Sequence, residues 1–426
     1  MREMKDSGVE WIGKIPVEWK CSKIKHHFKI GSGTTPKSDI PSYWDGDIVW
    51  ITPADFKTDD VYVSEGHRNL TQEGFESSTL EIIPAGNIIF SKRAPIGQVV
   101  INSVDLCTNQ GCLTAVPLDK SNVKYYRYAM SVATNQFELA GSGTTFKEIS
   151  ATAFGNFILP SPSVSEQKKI TEYLDRKCFS IDSVIMKQQV IIEKLKEYKI
   201  SIVIEYVTKG INTCHEYKDS NVEWIGTIPS EWKLLRLKYA SEIMRGRFNH
   251  RPRNDPQYYD GEYPFVQTGD VARANKFITH YSQSLNKMGF DVSKEFPKGS
   301  ICMTIAANIG DVAILGFDAC FPDSIVGFVA KKDIYWEYLF YVLVAMKQQL
   351  NKNAIISTQL NLNIEIIKEE YIPCPPAEEQ QAIVDYLNRR TALIEMDISK
   401  RKSFIDRLID YKQAIILETV TGKKKI

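Results

Sequence analysis

The chain has no excess of either charge: 53 lysines and arginines stand against 52 aspartates and glutamates. No global basic field announces a nucleic-acid binder, so any such contact must use local patches or a partner subunit. No apolar run approaches the roughly 18 residues of a membrane span. The longest, around Phe340 to Met346, has the length of a core helix. With charge from position 2 onward, the expectation is a soluble, cytoplasmic protein that is not exported. Catalytic signatures are missing as well. There is no G-x-x-x-x-G-K-[ST] loop, no G-x-G-x-x-G after a strand, no H-E-x-x-H, and no Asn-Pro-Pro-aromatic run of the amino-methyltransferase kind. The six histidines are dispersed, and the adjacent pair His26-His27 lies in a Lys-rich stretch. Eight cysteines are scattered, with Cys107 and Cys112 the closest and no second pair at zinc spacing. Buried free thiols in a reducing compartment are expected, with no metal and no cofactor. What is left is a recognition scaffold.

What the chain does have is a repeated rod. Residues 162 to 209 contain no internal Pro or Gly, and their apolar positions follow a heptad: Ile170, Leu174, Ile181, Val184, Ile191, Leu195, Tyr198 and Ile202. A helix of about 45 residues is about 68 Å long and cannot bury such a stripe alone. Residues 378 to 421 supply the partner at a constant offset of 213, with a seam of Ile383, Leu387, Ile394, Phe404, Leu408, Tyr411 and Ile415. Polar interruptions correspond too: Lys177 with Arg390, and Gln188 with Arg401. Antiparallel pairing would set Leu174 near Ile415 and Gln188 near Arg401. Leu174, Ile181, Gln188, Leu195, Tyr198, Leu387, Ile394, Arg401, Leu408 and Tyr411 are the expected helix-pairing residues.

The same offset carries KDSGVEWIGKIPVEWK, starting at Lys5, onto KDSNVEWIGTIPSEWK, starting at Lys218. Gly and Pro punctuate this arm too heavily for a helix, so an ordered segment pinned by tryptophans is expected. Between each arm and its rod lies a variable domain, about 20 to 160 and 233 to 374. Short β-rich runs (47–52, 99–102, 300–304, 312–315) and one helical stretch each (125–139, 335–350) make both α+β. Each domain leaves through prolines, Pro160 and Pro162 or Pro373, Pro375 and Pro376, just before its rod.

Taken together, the duplicated D-S-x-V-E-W-I-G-x-I-P-x-E-W arm, the P-x-x-x-E-Q start of each rod, and two divergent domains alternating with two similar helices resemble the specificity subunit of type I restriction–modification systems. The resemblance covers the whole chain. It implies an α+β protein with two globular α/β-type target recognition domains separated by two long antiparallel coiled-coil helices, in an internal pseudo-two-fold repeat. The expected partition is 1–160 for the first arm and domain, 161–210 for the central helix, 211–374 for the second arm and domain, and 375–426 for the last helix. It further implies that each domain reads half of a bipartite, asymmetric double-stranded DNA site. The helices would set the gap and hold two modification subunits. S-adenosylmethionine-dependent adenine methylation and ATP-driven cleavage would belong to the modification and restriction subunits, leaving this chain non-catalytic. A coiled-coil adaptor that binds only proteins, or a stand-alone enzyme with an unrecognised site, are the competing readings.

Within that frame the densest basic cluster runs from Arg245 to Arg253. Its Arg245, Arg247, His250, Arg251 and Arg253 are candidate DNA contacts, since Arg suits phosphates and guanine edges. The first domain offers Thr34, Thr35 and Lys37 in a Gly/Ser/Thr loop, Lys92 and Arg93, and Thr145 with Lys147. Gln359, in an amide-rich segment of the second domain, can read adenine.

Overall fold

The computed structural model describes residues 2–57, 61–142, 147–212, 216–250, 252–306, 308–356 and 362–426. Thr145, Arg251 and Gln359 lie outside the described residues. The chain forms two compact units, one from residues 1–188 with 403–426, the other from 189–402. Both rods are continuous helices, Val164–Lys209 and Ala377–Val420, and each contributes one part to each unit. A shift of 213 carries 1–188 onto 214–401 and 190–213 onto 403–426. The two units are therefore one design with its pieces in different chain order.

In unit 1 a five-stranded sheet runs in the order Phe28–Ser32, Cys112–Pro117, Ile88–Ser91, Val99–Asn102, Tyr62–Val63. All neighbours are antiparallel except the last pair. Unit 2 repeats the order as Ser241–Arg245, Ile325–Ala330, Ile301–Thr304, Val312–Leu315, Phe277–Ile278, again with only the last pair parallel. A smaller sheet is built around Trp44–Ile51 in one unit and Tyr259–Phe265 in the other. The central strands are rich in β-branched residues and fully buried, as expected of strands covered on both faces. The tight turn before Ile88–Ser91 and that before Ile301–Thr304 use Gly86 and Gly299, both at φ +87°, where a side chain would be strained. Each helical stretch expected as one piece is two: Val123–Ser131 with Thr134–Ala140, and Trp336–Ala345 with Lys347–Ile356.

The arm is a small hairpin, Met4–Asp6 against Lys14–Pro16 and Tyr217–Asp219 against Thr227–Pro229. After it, Lys20–Lys23 pairs with the exit strand Ile158–Ser161, and Lys233–Arg236 with Tyr371–Cys374. The repeated spacing of arm and rod start now has a physical cause. Trp19 and Trp232 are buried and donate from Nε1 to Glu166 and Glu379, each at 2.8 Å. The neighbouring glutamine holds the variable domain: Gln167 Oε1 accepts from Asn122 N at 2.9 Å, and Gln380 Oε1 from Tyr335 N at 2.8 Å. Tyr125 and Tyr338 close the unit. Each hydroxyl reaches the exit strand (Pro160 O, 3.0 Å; Pro373 O, 3.2 Å) and the last turn of the other rod (Val420 O and Val207 O, 3.1 Å each). Burial pushes both phenols well above their ordinary pKa, so they remain donors.

Within each unit the two rod segments run antiparallel. Lys412 Nζ meets Asp182 Oδ1 at 2.7 Å in unit 1, and Lys199 pairs with Glu395 in unit 2. The two pairs are related by the 213 shift. Leu174 and Ile415 share the core of unit 1, as the seam required. Ile181, Leu387 and Ile394 are buried, whereas Gln188, Leu195, Arg401 and Leu408 are half-buried. Tyr198 and Tyr411 lie at the edge of the seam rather than in its core, 48% and 53% exposed, and the Tyr198 hydroxyl accepts from Arg390 on the other rod segment at 3.3 Å. The packed column is Cys178, Ile192 and Lys199, one residue later than Lys177, Ile191 and Tyr198. Lys199 and Lys412 lay their aliphatic stems in the seam and pair their ammonium heads with the acid opposite.

Candidate nucleic-acid interface

Four loops of unit 1 converge at the end of the large sheet where Phe28–Ser32 finishes, Ile88–Ser91 finishes and Cys112–Pro117 begins. Gly33 opens the first loop, and a Cβ there would sit 1.8 Å from Thr108 O, so only glycine lets the chain pass. Beyond it Thr34 N donates to Thr108 O at 3.0 Å, and Thr35 Oγ1 donates to Gln110 Oε1. Trp50 and Trp44 then fix the loop from below, through Thr34 O at 3.1 Å and Lys37 O at 3.2 Å. Lys92 N binds Gly111 O, and Ile149 N binds Lys92 O, both at 3.0 Å. Thr34, Thr35, Lys37, Lys92, Arg93 and Lys147, far apart in sequence, thus share one face.

Their charges are not all open. Glu148 takes Lys92 at 2.8 Å and Arg93 at 2.7 Å. Lys92 is the first cause holding the Glu148 carboxyl below the ordinary carboxylate range, and the Lys92 side chain is only 14% exposed. Lys37 and Lys147 are exposed. Sequence reasoning missed Gln110 and Glu148, since only the folded loops bring them here.

The same end of unit 2 carries the arginine loop. Gly246 stands where Gly33 does, and a Cβ on it would lie 2.3 Å from Pro322 O. Arg245 Nε donates to Asp323 O at 2.6 Å, Arg247 to Ser293 O at 2.9 Å, and Arg253 pairs with the Asp323 carboxylate. All three residues are exposed, so each is steered by its backbone or carboxylate partner while the guanidinium still faces solvent. His250 stacks on Tyr258 at 4.0 Å and meets Asp255 at 3.2 Å, which makes it a loop-bracing residue in this structure. Beside the loop is a cavity of about 280 Å³ lined by Phe248, Arg253, Tyr259, Phe265, Gln267 and Gln283, among others. In unit 1 the corresponding small sheet carries Trp44, Trp50 and Arg68, and the Arg68 guanidinium lies 4.1 Å over the Trp44 ring. One face therefore offers hydroxyls, an amide, lysines and one arginine, Arg93, that is tied to Glu148; the other offers several guanidinium donors, Arg245, Arg247 and Arg253, beside aromatic rings.

The arrangement defines a class: a protein of two units, each repeating the same domain on a pair of antiparallel rod segments and each ending in a differently lined set of loops. Residues 16–177 and 229–403 match the type I restriction modification DNA specificity domain, and the chain belongs to that family. It is similar to the type I restriction enzyme MjaIX specificity subunit of Methanocaldococcus jannaschii, at 32% identity over 62% of this chain and 60% of that one. The chain thus spans less than two thirds of that relative's length. The MjaVIII specificity subunit of the same organism is 22% identical over 97% of this chain and 94% of its own. A solved structure described as showing complex assembly and conformational transition of the type I R-M system covers 96% of this chain and 99% of its own, with a TM-score of 0.71 and 15% identity, and so shares its fold. Among the described residues no helix is long and apolar enough to cross a membrane, and no group of His, Cys, Asp and Glu could hold a metal ion.

Proposed function

We propose that this chain is the non-catalytic DNA-recognition subunit of a type I restriction–modification complex, acting in the cytoplasm. Residues 1–160 hold the first target recognition domain with its arm, and residues 211–374 the second. The repeat helices, 161–210 and 375–426, set the gap between half-sites and hold two modification subunits, with restriction subunits joining through the complex. The observation that carries this reading is the pair of loops opened by Gly33 and Gly246. They leave the same strand of the same scaffold, yet one is rich in Thr and the other in Arg. A shared frame with divergent loops is what reading two different half-sites requires. Thr34, Thr35, Lys37, Lys92, Arg93, Thr145 and Lys147 serve the first half-site; Arg245, Arg247, His250, Arg251, Arg253 and Gln359 serve the second. The family match gives the protein-only adaptor reading no support.

The test is methylation mapping with the assembled complex. Replacing Arg245, Arg247, Arg251 and Arg253 with Ala should degrade base preference in one half-site and leave the other intact. Equal damage to both halves, or loss of assembly alone, would make the cluster structural.

A further inference from the structure

The variable domains dock on the rods through the same three positions, filled with different chemistry. In unit 1 Lys124 Nζ lies 2.8 Å from Asp175 Oδ2 on the first rod, and the Tyr128 hydroxyl donates to Asp175 Oδ1 at 2.9 Å. A step of 213 residues leads to Glu337, Tyr341 and Asn388. The tyrosine recurs, donating to Asn388 Oδ1 at 2.7 Å. The other bond has reversed sense: the rod now donates, from Asn388 Nδ2 to Glu337 Oε2 at 2.9 Å. A cation arrives from elsewhere in the second domain. Lys276 Nζ lies 3.2 Å from Glu337 and 2.6 Å from Asn388 Oδ1. Lys276 precedes the strand Phe277–Ile278, and the residue preceding the matching strand Tyr62–Val63 is Val61.

Counting charge across each junction shows what the differences do. Among the side chains bonded to the rod position, the first domain brings one positive charge, Lys124, to one negative charge, Asp175. The second brings one of each, Lys276 and Glu337, to the neutral Asn388. Both native junctions close at zero. Exchanged, the first domain on Asn388 would leave an unmatched lysine, and the second on Asp175 an unmatched carboxylate. The second domain would tolerate the exchange least, because its Lys276 and Glu337 side chains are only 20% and 14% exposed, against 42% for Lys124. An unpaired charge there loses hydration without gaining a partner.

We propose that this junction is a key that assigns each variable domain to its own pair of rod segments, with Asp175 and Asn388 as the residues that read it. The partner each rod surface fits is thus a domain of this chain with the complementary charge pattern. The inference holds whatever the domains bind.

One substitution tests it in two contexts. In the native chain, Asp175→Asn strips Lys124 of its charged partner and should lower the thermal midpoint by about 2–4 °C. In a chain whose first slot carries residues 233–373 in place of 20–160, the same Asp175→Asn removes the unmatched carboxylate and should raise the midpoint. Opposite signs support the key; the same sign in both chains overturns it. Should the exchanged chain not fold, the native chain still decides. Lys124→Glu sets two carboxylates face to face and lowers the midpoint. Adding Val61→Lys and Asp175→Asn, which recreates the chemistry of unit 2, should recover at least half the drop. No recovery overturns the proposal.

Discussion

Trp19 and Trp232 make the same bond at the same length to Glu166 and Glu379, and Tyr125 and Tyr338 cap the same pair of carbonyls in each unit. Fourteen residues after each tryptophan, Gly33 and Gly246 open loops that share little beyond the glycine. The contrast separates two kinds of constraint. Where a side chain holds arm, rod and domain together, its partners are fixed and its identity is set by geometry. Where the chain leaves the end of the sheet, only the glycine is constrained, and the residues beyond it are open to be chosen for what they touch.

The comparison breaks first if the scaffold is not equivalent. Trp19→Ala and Trp232→Ala should each destabilise their unit by about 3–5 kcal/mol in denaturant unfolding, through the emptied cavity and the lost hydrogen bond to the carboxylate. A large effect for one and a negligible effect for the other would deny that the units share a frame. Next come the glycines: Gly33→Ala and Gly246→Ala should cost about 1–3 kcal/mol by overpacking, read from thermal midpoints, with Gly33 the worse because its approach is closer.

The faces themselves should differ. In the assembled complex, Arg245, Arg247 and Arg253 to Ala should weaken DNA binding by about tenfold, about 1.4 kcal/mol, and reduce the salt slope by about 0.9 for each phosphate that is no longer neutralised. Lys92→Ala with Arg93→Ala should weaken it by only about twofold, since Glu148 already neutralises part of that charge. Titration at several salt concentrations measures both, and a steeper fall for the lysine face would reverse the assignment. The smallest effect belongs to the rods. Lys199→Met and Lys412→Met keep the stem in the seam and delete an ion pair that is partly exposed, so each should change stability by no more than about 1 kcal/mol. If either abolished folding, the ion pairs rather than the apolar column would be holding the rods.

Much of this was legible in the sequence because one offset runs through it. The arms, the rods, their antiparallel pairing and the two α+β domains all follow from residues that recur 213 positions apart. Half of the seam followed as well, from Leu174, Ile181, Leu387 and Ile394. The other column was displaced by one residue because apolarity favours Tyr198 and Tyr411 over the lysines beside them. Only the acid on the opposite rod shows why a lysine is preferred there. The two loops opened by Gly33 and Gly246 were legible as candidates, and the same offset relates the two glycines. The damping of their charge was not. Arg93 finds Glu148 55 residues away, and Arg253 finds Asp323 70 residues away, separations over which sequence carries no pairing signal.

The order in which the units draw on the chain bears on how the protein is made. Unit 2 comes from one unbroken stretch, 189–402, whereas unit 1 begins with 1–188 and needs 403–426 to be complete. Ile415, Ile416 and Val420 lie in the same core cluster as Ile170 and Leu174. During synthesis the first domain to emerge must wait for the 214 residues from 189 to 402 before its core can close. At about 5–20 residues per second that delay is roughly 10–40 s. Through that interval the apolar stripe of residues 164–188 lacks its partner segment 403–426, so the unit that starts earlier in the chain is completed later.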